Sequence, residues 1–202
     1  INFLDFFLWR FMIMNTTVSI HRFNVEEYHR LIENNILHED DRVELIEGRI
    51  IDMTPIGSKH AACVSRLNEI LSEKLQKRAI INIQNPICLT AYTEPEPDIA
   101  IIKRRPDFYA EQLPQPEDVL LIIEVSDSSL DYDCETKIPL YAKSNIPEVW
   151  LVNLIENNVA IYSGPSSEGY NVITKHRHNQ ILSPKSFHDI TLTVSEIFGL
   201  PS

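Results

Sequence analysis

Between Asn24 and Asn34 the apolar residues Val25, Tyr28, Leu31 and Ile32 recur at helical spacing, with Glu26, Glu27, His29, Arg30 and Glu33 between them. This predicts a short amphipathic helix with Asn24 as its N-cap. From Arg42 to Met53 the chain reads RVELIEGRIIDM, two apolar runs around Glu47 and Gly48. That pattern predicts a β-hairpin with Glu44 in its first strand. Beyond a turn at Thr54 to Ser58, the residues Val64, Leu67, Ile70, Leu71 and Leu75 restore i, i+3, i+4 spacing. His60 to Arg78 is therefore the longest predicted helix, with Ser58 placed to cap it.

The middle third changes period. Ile80–Ile83, Ile87–Ala91, Ile99–Ile102 and Val119–Val125 are short β-branched runs separated by turns that contain proline, and all four are predicted strands. The run LLIIEV stays apolar until Glu124, as a central strand covered on both faces does. Lys103 to Asp118, with Pro106, Pro114 and Pro116, is predicted to be a surface excursion. A helix follows at about Thr136–Ser144, where Pro139 fits only in the first turn. Val149 to Asn153 is a buried strand, and Asn157 with Asn158 turns the chain into Val159–Ser163. The sequence is thus of the α/β class, with a mixed α+β sheet, an N-terminal hairpin and helices on both faces.

Residues 1–14, INFLDFFLWRFMIM, are apolar but interrupted by Asp5 and Arg10. The run is too short to cross a bilayer and lacks the basic start and small-residue cleavage site of a signal peptide. We expect residues 1–13 to be an upstream extension of the reading frame or an amphipathic arm, and 14–202 to be one domain. Charge narrows the function classes: 18 Lys and Arg against 29 Asp and Glu leave a net charge of −11. Such a chain does not coat nucleic acid by bulk charge, so any contact with it must be a local patch. Cys63, Cys88 and Cys134 are widely spaced and odd in number, which suits a reducing cytosol better than a disulfide framework or a zinc pair. The expected setting is cytoplasmic, with no membrane.

Three acids stand where a core carboxylate should be rare: Glu44 in VELIEG, Asp98 in EPDIAII and Glu124 in LLIIEVS. Each adjoins an apolar strand, and buried carboxylates are costly unless paired or bound to a cation. Any one of them could mark a strand emerging into solvent. Asp98 and Glu124 in consecutive strands, followed by Lys137 on the next helix, point instead to a divalent metal site. Phosphodiester hydrolysis requires a hard cation to neutralise the phosphate and activate water, and a nearby ammonium can balance the developing charge.

The run Pro97-Asp98, then Glu124-Val125-Ser126, then KIPLYA from Lys137 and IPEVWLVN from Ile146, resembles the Uma-type putative restriction endonucleases of the PD-(D/E)XK nuclease superfamily. The VELIEG hairpin and His60 at the start of the long helix resemble that family too, and the likeness spans about Val25 to Phe198. It implies a restriction-endonuclease-like core and a magnesium-dependent DNA endonuclease, with manganese as a substitute. Asp98 and Glu124 would be the metal ligands, with the carbonyl of Val125 as a third. In one respect the chain departs from the pattern. The superfamily places Lys two residues after the Glu, where this chain has Ser126, so Lys137 becomes the candidate ammonium.

Around these residues, Glu44 could complete the metal site through a water or merely cap the hairpin. Tyr141, one turn beyond Lys137, could touch phosphate or pack in the core. His60 could contact the site from the N-terminus of its helix. Lys103, Arg104 and Arg105 are the preferred DNA contact, if they lie beside the Asp98 strand, and a second basic run is Lys175 to His178. Cutting two strands would ask for a homodimer. The alternatives are a catalytically inactive nuclease fold that binds DNA or protein, and a hydrolase with another substrate.

Overall fold

The computed structural model describes residues 19–38 and 40–201. The expectations for residues 1–13 lie outside the described residues. Helix α1 (Val25–Glu33) opens with a capping box in which Asn24 Oδ1 accepts from the Glu27 N–H and Glu27 accepts from the Asn24 N–H. Through Tyr28 it packs on the hairpin of β1 (Val43–Ile46) and β2 (Arg49–Asp52). The two-residue turn needs positive φ at both positions, and Glu47 and Gly48 supply 49° and 77°. A Cβ on Gly48 would sit 2.5 Å from that of Arg22.

After α2 (Ser58–Leu75) the chain builds a six-stranded mixed sheet from β3 (Ile80–Ile83), β4 (Ile99–Ile102), β5 (Val119–Ser126), β6 (Glu148–Asn153), β7 (Asn158–Ser166) and β8 (Gly169–Arg177), ordered in space as in sequence. β5 and β6 are parallel, and the other neighbours are antiparallel. β5 is buried on both faces, as its unbroken apolar run predicts. Leu121, Ile123 and Val125 face α2, where Val64, Leu67 and Leu71 cover them. Ile122 faces the other way, onto Ile138 and Tyr141. Period-two alternation therefore carries Glu124 and Ser126 to this second face.

The second face is covered by one helical segment made of α3 (Leu130–Tyr132), a π-helical turn (Asp133–Lys137) and α4 (Ile138–Lys143). It starts six residues before the predicted helix, so Pro139 lies in the first turn of α4 only. A small pair, β9 (Ile181–Leu182) with β10 (Leu192–Thr193), and α5 (Val194–Phe198) close the core beside α2.

Two further predictions need correction. α2 takes Gly57 as its N-cap with no side-chain bond, and it stops at Leu75 because Gln76 turns left-handed at φ 46°. Ile87–Ala91 is not a strand: Ile87 and Leu89 bury with strand-like alternation, but their N–H groups bond to the carbonyls of Pro95 and Thr93 in the returning loop. Pro95 and Pro97 have no N–H to return, so no ladder forms. The Lys103–Asp118 excursion is anchored, because Tyr109 buries its ring and donates its hydroxyl to the carbonyl of Lys103. Among the described residues no helix is long and apolar enough to cross a membrane.

Candidate active site

The β4–β5 ladder ends at Ile99↔Ile123, where Pro97 can no longer donate. One step further, Asp98 faces Glu124, and the Asp98 N–H lies 3.3 Å from Glu124 Oε2. Asp98 Oδ2 accepts from the Val125 N–H at 2.8 Å and from His60 Nε2 at 3.0 Å. Within a strand the N–H and C=O of one residue point to the same side, so the Val125 carbonyl shares this edge. His60 sits in the first turn of α2, and its buried Nδ1 has no partner among the described residues. Since Asp98 accepts, Nε2 carries the proton.

Lys137 arrives from the opposite face on the π-helical turn. Its Nζ lies 2.8 Å from Glu124 Oε1, 3.6 Å from Glu44 Oε2 and 3.4 Å from the Glu96 carbonyl. Tyr141, one turn on, donates its hydroxyl to Glu124 Oε1. Glu44 accepts from the Tyr132 hydroxyl at 3.0 Å and from the Glu96 N–H at 3.2 Å. Asp133 accepts from Ser126 Oγ at 2.6 Å and Ser129 Oγ at 2.8 Å. Glu44, Asp98, Glu124 and Asp133 thus gather around one buried ammonium, and all five line a cavity of about 370 Å³.

The electrostatics follow from that crowding. Burial pushes the Glu124 carboxyl up to about 8, with Asp133 and Asp98 adding to the effect and Lys137 opposing it. Burial also works to raise Asp98, but the bonds from His60 and the Val125 N–H outweigh it and hold the group below its ordinary value. For Lys137 burial favours the neutral amine, yet Glu124 and Glu44 keep it charged, well above its usual range. Burial raises Asp133 and Glu96 as well.

The structure therefore brings together Asp98, Glu124, Lys137, Glu44, His60, Tyr141 and the Val125 backbone. Lys103, Arg104 and Arg105 stand apart from these carboxylates. They follow the far end of β4, five residues from Asp98, or roughly 16 Å at strand rise. Arg105 is held by Asp107 at 2.7 Å, and Arg104 lies over the Phe108 ring. The other basic run is better placed, because Arg177 pairs with Asn158 at the end of the sheet where β5 and β6 finish, though Lys175 and Arg177 both meet Glu156 there. The sequence reading missed Tyr132, Asp133 and Glu96. Asp133, four residues before Lys137, carried a helical-spacing signal that could have found it.

A hard cation suits these donors: two carboxylates and a backbone carbonyl, all oxygen, on a face with excess negative charge. Among the described residues no three His, Cys, Asp or Glu side chains gather closely enough to cage an ion. A cation here would keep much of its water, which is the habit of magnesium.

Comparison with known proteins bears on the family and the fold. The family described as Uma2, putative restriction endonuclease, matches residues 25–195. Among solved structures, a crystal structure of a putative nuclease belonging to DUF820 from Anabaena variabilis ATCC 29413 superposes with a TM-score of 0.69 at 18% identity. The match covers 88% of this chain and 98% of that one, and it establishes the shared restriction-endonuclease-like fold. No functionally curated protein matches.

Proposed function

Because the chain belongs to the Uma2 family of putative restriction endonucleases, we propose that it is a magnesium-dependent endonuclease that hydrolyses DNA phosphodiester bonds, with manganese as a substitute. The reading is carried by one observation: Asp98 and Glu124 meet at the open end of the β4–β5 ladder with the ammonium of Lys137 at 2.8 Å from Glu124. Asp98, Glu124 and the Val125 carbonyl would hold the cation, which when bound supplies Lewis acidity toward phosphate and lowers the pKa of water. His60 fixes the carboxylate of Asp98 through Nε2. Tyr141 and Lys137 orient Glu124, and Lys137 balances the negative charge that grows on the phosphate in the transition state. Glu44 holds Lys137 from the hairpin side. The duplex backbone would meet the basic run on β8 at the site end of the sheet. Cutting both strands requires two such sites, which a homodimer in the cytoplasm would provide.

The test is cleavage of supercoiled plasmid by the purified chain with magnesium, manganese or EDTA, beside Asp98→Ala. We expect cutting with either metal, none with EDTA and none by the variant. Equal cutting by Asp98→Ala would sink the assignment. A second reading, an inactive module that binds DNA or protein, is favoured by the fact that both oxygens of Glu124 already accept from protein donors. DNA retained on the wild-type chain without cleavage in either metal would establish it.

A further inference from the structure

A lysine carried on a helix can serve Glu124 only if something fixes that helix to the strand. We propose that Ser126 and Asp133 are positioning residues that form this link, a hydroxyl–carboxylate clasp setting the height of Lys137 against Glu124. The inference rests on the nuclease reading of the same site and deepens it.

Ser126 lies two residues beyond Glu124 on β5, so both side chains leave the same face of the strand, and Ser126 is fully buried. Its hydroxyl donates to Asp133 Oδ2 at 2.6 Å, and Ser129 donates to the same oxygen at 2.8 Å. The Asp133 N–H in turn bonds to the Ser129 carbonyl at 2.9 Å. Strand end, connecting turn and helix start are thereby joined at one carboxylate.

Asp133 is also the residue from which the π-helical turn hangs, because its carbonyl accepts from the Ile138 N–H five residues on. The wide turn ends at Lys137, whose ammonium then meets Glu124. Such turns are rare and cluster at functional sites. Burying a carboxylate is costly unless it is bonded, and an apolar side chain would cover this face equally well. The clasp accounts for an acid at this position.

Two measurements test the proposal, one of them independent of nuclease activity. Acylation of Lys137 Nζ by an amine-reactive reagent, followed by peptide mass spectrometry, reports how firmly the ammonium is held, with exposed Lys59 as the internal standard. In Asp133→Ala and Ser126→Ala the relative rate should rise about tenfold, while Asp133→Asn, which keeps the acceptor oxygen, should stay near wild type. Ser126→Ala keeps the test open if Asp133→Ala does not fold. In DNA cleavage with magnesium, Asp133→Ala should lower kcat about tenfold with KM within about twofold. Unchanged acylation in the folded variants overturns the clasp, as does wild-type kcat in Asp133→Ala. Faster acylation in a chain that never cuts DNA would uphold the clasp and refute the nuclease reading.

Discussion

Glu124 and Glu148 are buried almost equally, at 2% and 3% exposure, on adjacent parallel strands of one sheet. They occupy opposite ends: Ile122 pairs with Val149, so Glu148 starts β6 while Glu124 is near the finish of β5. Glu148 accepts from the Trp150 indole N–H at 2.9 Å and the Lys185 backbone N–H at 2.7 Å, one donor for each oxygen. Trp150, Lys185 and His188 all act to favour its charge. Glu124 instead shares its surroundings with Asp98, Asp133 and an ammonium. Burial alone therefore does not mark a functional carboxylate. A structural one is satisfied by nearby N–H donors, whereas at the candidate site several acids crowd a space that their own donors do not neutralise.

The largest effects should come from exchanging the roles of these two acids. Glu124→Gln should reduce DNA cleavage by roughly 10²- to 10³-fold, the cost of losing a group that acts on transition-state charge. Glu148→Ala should leave turnover per folded molecule unchanged. It should instead lower stability to urea by about 1–3 kcal/mol for each N–H left buried without an acceptor. If Glu148→Ala damages turnover as much as Glu124→Gln does, the distinction between the two carboxylates is empty.

A smaller effect is expected one bond further out. His60 touches Asp98 and no reacting atom, so His60→Ala should weaken magnesium affinity or turnover by about 10- to 100-fold, as removal of a residue that orients a proposed metal ligand does. A magnesium titration of cleavage rate distinguishes the two. A normal titration with normal rate would mean that the Val125 N–H and the Gln84 amide hold Asp98 without His60.

Much of this was legible in the chain. Amphipathic spacing located α1 and α2, unbroken β-branched runs located β4, β5 and β6, and an acid at the end of an apolar strand located Asp98 and Glu124. What was not legible depended on which end of a strand a residue occupies. Lys103 and Asp98 flank the same four apolar residues, and only the direction of β4 against β5 separates one from the other. Ile87 and Leu89 alternate like a strand because burial imposes that period, but a strand also needs a partner with N–H groups to give, and the returning segment holds Pro95 and Pro97. Asp133 and Tyr132 escaped notice because the predicted helix began only at Thr136. The π-helical turn that draws them inward has no clear period of its own.

The smallest expected effect concerns pH, and it tests the structural member of the pair. Burial raises the Glu148 carboxyl above its ordinary value of 4.5, against the bonds from Trp150 and Lys185 that favour its charge. Between 4.5 and the raised value the folded chain then holds more protons at this position than the unfolded chain does. Stability from this group is accordingly complete below 4.5 and is lost as pH rises through the folded value. Gln at this position does not titrate, so the stability of wild type minus that of Glu148→Gln should fall across that window and be flat above it. The cluster at the other end of the sheet titrates too, but it is common to both proteins and distant enough for its contribution to cancel. Urea unfolding in EDTA over a pH series gives the difference directly, provided the m-values agree. A difference that rises with pH would mean that the two N–H donors outweigh burial, so that Glu148 is held as an anion.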